Sequence, residues 1–187
     1  NGIHKGGFVV IWTTTPWTIP SNKAVAYSKA IPYGVYRVEK TEEECWSSKG
    51  DLLFLADKLA KDCLEKARIT KFTRLETLLV EDLEEMILCH PFNKAPGAQG
   101  FWNYEVPMID GEHVTEEAGT GFVHTAPSHG AEDFEAFVSR GWTEKLTHNI
   151  AEDSSFKEHI PFFSGLQVFD RKGREGKANR AIISKLM

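Results

Sequence analysis

The chain has 187 residues, 41% hydrophobic and 26% charged, proportions that suit one soluble globular domain with a real core. A net charge of −5 argues against broad, non-specific nucleic-acid binding but leaves room for a local contact with one RNA end. No apolar run approaches bilayer length, and the opening Asn1-Gly2-Ile3-His4-Lys5 is no signal peptide.

In chain order, Gly7 to Trp12 is a β-branched and aromatic run that reads as a buried strand, stopped by Pro16 and Pro20 in an extended turn. Ala24 to Tyr27 and Val35 to Val38 read as further strands, and Thr41 to Ser48 as a hairpin tip or short helical turn. Asp51 to Ala56 is strand-like and leads into a helix from Asp57 to Ala67, with Leu59, Cys63 and Leu64 at helical spacing and Asp57 as its cap. Ile69 to Val80 returns to strand. Pro91 to Tyr104, rich in Pro, Gly, Asn and Ala, reads as a long loop carrying Trp102 and Tyr104, a lid or contact surface. Val106 to Ile109 and Gly121 to Thr125 are short strands. Gly130 to Arg140 is a helix with Phe134, Phe137 and Val138 on one face, capped by Ser128 and stopped by Gly141. Gly176 to Met187 is an amphipathic helix. Many short strands with few helices point to α+β, with a barrel-like sheet as core and residues 1–187 as one domain.

Cys45, Cys63 and Cys89 are odd in number and match neither a metal pattern nor a closed disulfide framework, so reduced thiols in a cytosol-like compartment are expected. The run Asp170 to Lys177 is the one basic cluster and reads as a solvated turn before the last helix.

Two stretches carry chemistry. Trp12-Thr13-Thr14-Thr15-Pro16-Trp17-Thr18 sets three hydroxyls before a rigid Pro, a row of donors and acceptors for a sugar, a carbonyl or a water. Trp17 adds a flat wall or stacking surface. Plain strand-end hydroxyls would look the same. Gly119 to Phe134 supplies His124 at a strand end, then His129 and Asp133 four apart on one helical face. Asp133 near a helix amino end can pair with a ligand ammonium or merely match the dipole, and His124 can equally be a hydrogen-bonded structural residue.

Together the runs Trp12 to Asn22 and Gly119 to Asp133 closely resemble the connective peptide 1 editing domain inserted into isoleucyl-tRNA synthetase, bacterial or organellar type. His90-Pro91-Phe92 and Glu112-His113-Val114-Thr115 resemble its connecting pieces, and the likeness spans nearly the whole chain. The resemblance implies a mostly antiparallel, barrel-like α+β fold, excised from a larger synthetase and acting as a monomer in the cytoplasm or an organelle matrix. It implies hydrolysis of mischarged Val-tRNA(Ile) and of valyl-adenylate, with Ile excluded, no cofactor, no metal and no membrane. The partners it implies are the 3′ end of tRNA(Ile) carrying Val and the remainder of the parent enzyme. Aminoacylation signatures are absent from these residues, so no aminoacylation is expected.

Carried over by position, His124 is the wall beside the amino-acid side chain and Asp133 binds the α-ammonium. Thr14 and Thr15, with Thr13 nearby, hold the ester, the ribose or the attacking water. Trp17 and His129 complete the pocket. Two other readings compete: a non-catalytic module that binds the tRNA end, and a metal hydrolase using His124, His129 and Asp133.

Overall fold

The computed structural model describes residues 6–187, so the reading of Asn1–Lys5 falls outside the described residues. In chain order the strands are β1 (Phe8–Val9), β2 (Ala24–Tyr27), β3 (Tyr33–Thr41), β4 (Leu52–Ala56), β5 (Ile69–Leu78), β6 (Ile87–Cys89), β7 (Glu105–Asp110) and β8 (Val123–Thr125). The α-helices are α1 (Asp57–Lys66), α2 (Val80–Glu85), α3 (Ala131–Val138) and α4 (Ala178–Leu186). The chain forms two compact units, each built from three pieces. One takes the stretch ending at Thr13, Val25–Met86 and Met108–His124; the other takes Thr14–Ala24, Ile87–Pro107 and Thr125–Met187.

The first unit is built on a sheet in the order β1-β4-β3-β5. Its centre follows from composition. The Leu-Leu-Phe-Leu-Ala of β4 is almost wholly buried, as an unbroken apolar run must be, and it pairs antiparallel with β3. Thr41 ends β3 and the rest of the segment to Ser48 lies in the connection to the antiparallel β4, as the hairpin reading expects. Ala60 and Leu64, one helical turn apart, turn α1 into a core with Tyr36, Val38, Leu53, Leu55 and Ile69. Asp57 is the first residue of α1 rather than its cap. Its carboxylate instead accepts from the Tyr36 hydroxyl at 2.6 Å and from Arg74 at 2.9 and 2.8 Å, tying helix to sheet. The arginine, first, holds that carboxyl below the usual range.

Two strand expectations change. The Gly7 to Trp12 strand shrinks to Phe8–Val9, parallel to β4 at the sheet edge, and Phe8 and Trp12 are 47% and 62% exposed. An edge strand has one neighbour, so its outer residues meet solvent; Gly7 is required because a Cβ there would run into the Phe54 ring. The Ile69 to Val80 run ends at Leu78, and Val80 opens α2, where Asp82 accepts the Leu79 amide at 3.0 Å.

β7 pairs parallel with β2 through Met108–Asp110 and antiparallel with β6 through Glu105–Pro107. The fold class is α+β as expected, but the sheets are mixed and, among the described residues, neither closes into a barrel.

The second unit has its own core of Ile19, Phe92, Trp102, Phe156, Ile160, Phe163, Val168, Ala178 and Ile182. The Pro91 to Tyr104 segment is therefore not an exposed lid. Trp102 is fully buried, and its indole N–H donates to the Pro20 carbonyl at 3.0 Å, the partner a buried Trp needs. In α3 only Phe137 is buried, against Trp142, while Phe134 and Val138 stay exposed. All three cysteines are free thiols, and no described helix is long and apolar enough to cross a membrane.

Candidate functional site

The hydroxyl row leads into a clamped turn. Thr14 is exposed and Thr15 half-buried, with their hydroxyl oxygens 3.4 Å apart. Pro16 then starts a short 3-10 helix, Pro16–Ser21, in place of the expected extended turn. Its fixed φ suits a first helical position, and Thr18 folds back to give the Thr15 carbonyl both its amide (3.1 Å) and its hydroxyl (2.9 Å).

The backbone of this turn is held residue by residue within the second unit. The Trp17 amide donates to Asn179 at 2.8 Å. His90 meets the Ile19 carbonyl through Nε2 at 2.9 Å, while its Nδ1 accepts from the Phe92 amide at 3.1 Å. Because Nδ1 accepts, Nε2 carries the proton and donates. Trp102 takes the Pro20 carbonyl, and the Tyr104 hydroxyl donates to the Asn22 carbonyl at 2.8 Å. Asn149 donates to the Ser21 hydroxyl at 2.9 Å. The turn has almost no freedom left.

The second motif reaches the same turn. His129 Nε2 lies 3.1 Å from Ser21 Oγ, and its ring meets Trp17 edge to face at 4.8 Å. Burial, then the neighbouring His148, pushes the His129 pKa down, so the imidazole is neutral at pH 7. Ser21 thus joins Asn149, which donates to its hydroxyl, to His129 Nε2.

Gly130, not Ser128, occupies the cap position of α3, and Asp133 falls in its first turn. One carboxylate oxygen accepts the Ala126 amide at 2.8 Å, which fixes the carboxylate against the strand-to-helix connection. Ala126 lies two residues beyond His124, which stands in β8.

The structure thus brings Trp17 and His129 into contact, sets Thr14 beside Thr15, and anchors Asp133 on the Ala126 amide. Thr13 and His124 are the closing residues of two pieces of the first unit. None of the seven motif side chains is fully buried. The sequence assigns no role at the site to Ser21, His90, Asn149 or Asn179. Ser21 lies inside the quoted motif, whereas Asn149 and Asn179 carry no local signal at all. A surface depression of about 680 Å³ in the second unit, lined by residues such as Asp153, Phe156 and Glu158, includes no motif residue. Among the described residues no three His, Cys, Asp or Glu side chains are grouped to hold a metal ion.

No family model matches the chain. Its sequence is 48% identical over all of its residues to the isoleucine–tRNA ligase of Ruegeria pomeroyi, and 42% identical over 97% of them to that of Caulobacter vibrioides. The chain matches isoleucine–tRNA ligases along its whole length. It spans 19% of the length of these ligases. Among solved structures, the editing domain of Plasmodium falciparum cytosolic leucyl-tRNA synthetase superposes with a TM-score of 0.54 at 12% identity, covering 97% of this chain and 76% of that one. GlLeuRS-CP1 gives 0.54 at 16% identity, over 75% and 50%. The fold is that of synthetase editing domains. Thr15 caps the 3-10 helix and Asp133 lies in the first turn of α3, each partly exposed, with Thr14 exposed beside Thr15.

Proposed function

We propose that this chain proofreads: it hydrolyses the aminoacyl ester of Val-tRNA(Ile), and the mixed anhydride of valyl-adenylate, while sparing Ile. The observation that carries this reading is the clamped Pro16–Ser21 turn, which fixes the backbone behind accessible hydroxyls. Donors and acceptors held in advance need no reorganisation when charge develops on the reacting carbonyl.

Val and Ile differ by one methylene, worth about 1–3 kcal/mol in a single pocket, a limit for which isoleucine–tRNA ligase is itself the standing illustration. A second cavity that rejects the larger side chain by overpacking makes up the shortfall. In this reading His124 is the rejecting wall. Asp133 grips the α-ammonium, since the first turn of a helix favours a negative charge. Thr14 and Thr15, with Thr13, hold the ester and the attacking water, while Trp17 and His129 form one side of the cavity.

Ester and anhydride leaving groups are better than amines, so a positioned water suffices and no covalent intermediate forms. Water adds to the carbonyl carbon, and the C–O bond to the ribose or phosphate breaks, giving valine and free RNA or AMP. Single-turnover hydrolysis in ¹⁸O-water should place label in the released valine and none in the protein. Labelled protein would overturn the direct-water route, and absence of valine release would overturn the function.

A further inference from the structure

The composition reverses near the end of the chain. Residues 170–187 hold six Lys or Arg against two acids, in a chain whose net charge is −5. The structure gives this run a shape. Phe169 and Glu175 pair as an antiparallel bridge, and the Asp170 amide donates to the Arg174 carbonyl at 2.8 Å. The Asp170 carboxylate accepts the Lys172 and Arg174 amides at 2.8 and 3.0 Å and the Arg174 guanidinium at 2.8 Å. Gly176 permits the close return, because a Cβ there would run into the Gln167 carbonyl. Arg174 is consumed in bracing the loop. Arg171, Lys172, Lys177 and Arg180 are exposed and form no ion pair among the described residues.

The structure also gives the loop an address within the second unit. Phe169, 44% exposed, meets Trp17 edge to face at 6.3 Å. Asn179, in the first turn of α4, accepts the Trp17 amide at 2.8 Å and donates to Glu175 at 3.0 Å. A braced cationic loop carrying an exposed aromatic ring is therefore fastened to Trp17, two residues past the hydroxyl row.

We propose that the Phe169–Glu175 hairpin receives the single-stranded 3′ end of the RNA. Arg171 and Lys172 take backbone phosphates, and Phe169, beside Trp17, stacks a base. The proposal rests on the reading that the substrate is a charged RNA end. Single-stranded RNA offers phosphates and open base faces, and paired cations and aromatic rings are what bind them. The acidic remainder of the chain disfavours a polyanion elsewhere and so directs it to this loop.

The test uses the full chain and an uncharged RNA oligonucleotide ending in CCA, with binding read by fluorescence anisotropy at several salt concentrations. Arg171→Ala combined with Lys172→Ala should weaken binding and flatten the slope of log affinity against log salt by about 1.4, two contacts' worth for a single strand. Phe169→Ala should weaken binding about five-fold or more with the slope unchanged. Melting temperature checks that each variant is folded, and the double variant changes only exposed side chains. Wild-type affinity and slope in the double variant would overturn the proposal. So would a polyglutamate peptide that displaces the RNA and binds the Phe169→Ala variant undiminished, which would mark an acidic-peptide site. Because binding is read without hydrolysis, a chain that binds as expected yet releases no valine would keep this surface and remove only the editing function.

Discussion

Asp133 uses one carboxylate for two tasks in this account. One oxygen accepts the Ala126 amide, and the group as a whole supplies the charge proposed to hold the substrate ammonium. Asp133→Asn keeps an acceptor for Ala126 but removes the charge, so its melting temperature should stay near wild type while kcat/KM for valine release falls about ten- to hundred-fold. Asp133→Ala should lose activity and also about 1 kcal/mol of stability, measurable by urea unfolding. His124→Ala should admit the larger side chain, so that Ile-tRNA(Ile), spared by wild type, is deacylated; a variant that still spares it would end the steric role. His129 adds a pH dependence. Its folded pKa is depressed, chiefly by burial, so the unfolded chain binds the proton more readily. Stability is then fully present above the unfolded value of about 6.5 and is lost as pH falls through it toward the lower folded pKa. Between pH 7.5 and 5.5 the melting temperature of wild type should drop more than that of His129→Gln. Equal drops would contradict the neutral, half-buried imidazole.

At the scale of elements, the clamped Pro16–Ser21 turn is what positions the hydroxyl row. Tyr104→Phe removes one donor, to the Asn22 carbonyl, and Trp102→Phe removes another, to the Pro20 carbonyl, while each keeps an aromatic ring. Each should cost about 1 kcal/mol of stability and lower kcat for valine release with little change in KM, because the binding groups remain but their placement loosens. A rise in KM alone would place these residues in binding instead. The sequence made some elements legible and hid others for a physical reason. β4 and α1 were readable because their pattern is written in neighbouring residues: an unbroken apolar run, and Leu59, Cys63 and Leu64 at helical spacing, of which Leu64 is buried, beside Ala60. The turn after Thr15 and the Pro91 to Tyr104 segment were not, because their partners are remote in the chain. Trp102 and Pro20 are 82 residues apart, and Trp17 and Asn179 are 162 apart. Gly, Pro and Asn in that segment read as a loop, but Phe92 and Trp102 make it core. The motif side chains were legible as residue types before a rigid Pro and at a helix start, while Asn149 and Asn179, which help hold the turn, lay outside any pattern.

At the scale of the molecule, two units each carry an apolar core, and the two motifs run across the points where the chain passes from one unit to the other, at Thr13–Thr14 and His124–Thr125. The chain is similar to isoleucine–tRNA ligases over 19% of their length, and its fold is that of synthetase editing domains. Its charge fits that setting, with an acidic body and one basic loop beside Trp17. The claim that everything else depends on is selective hydrolysis. The direct measurement compares initial rates of deacylation of Val-tRNA(Ile) and Ile-tRNA(Ile), each incubated with the chain at one concentration. Valine should be released well above the spontaneous rate and isoleucine at background. Equal release of both, or release of neither above background, would contradict it.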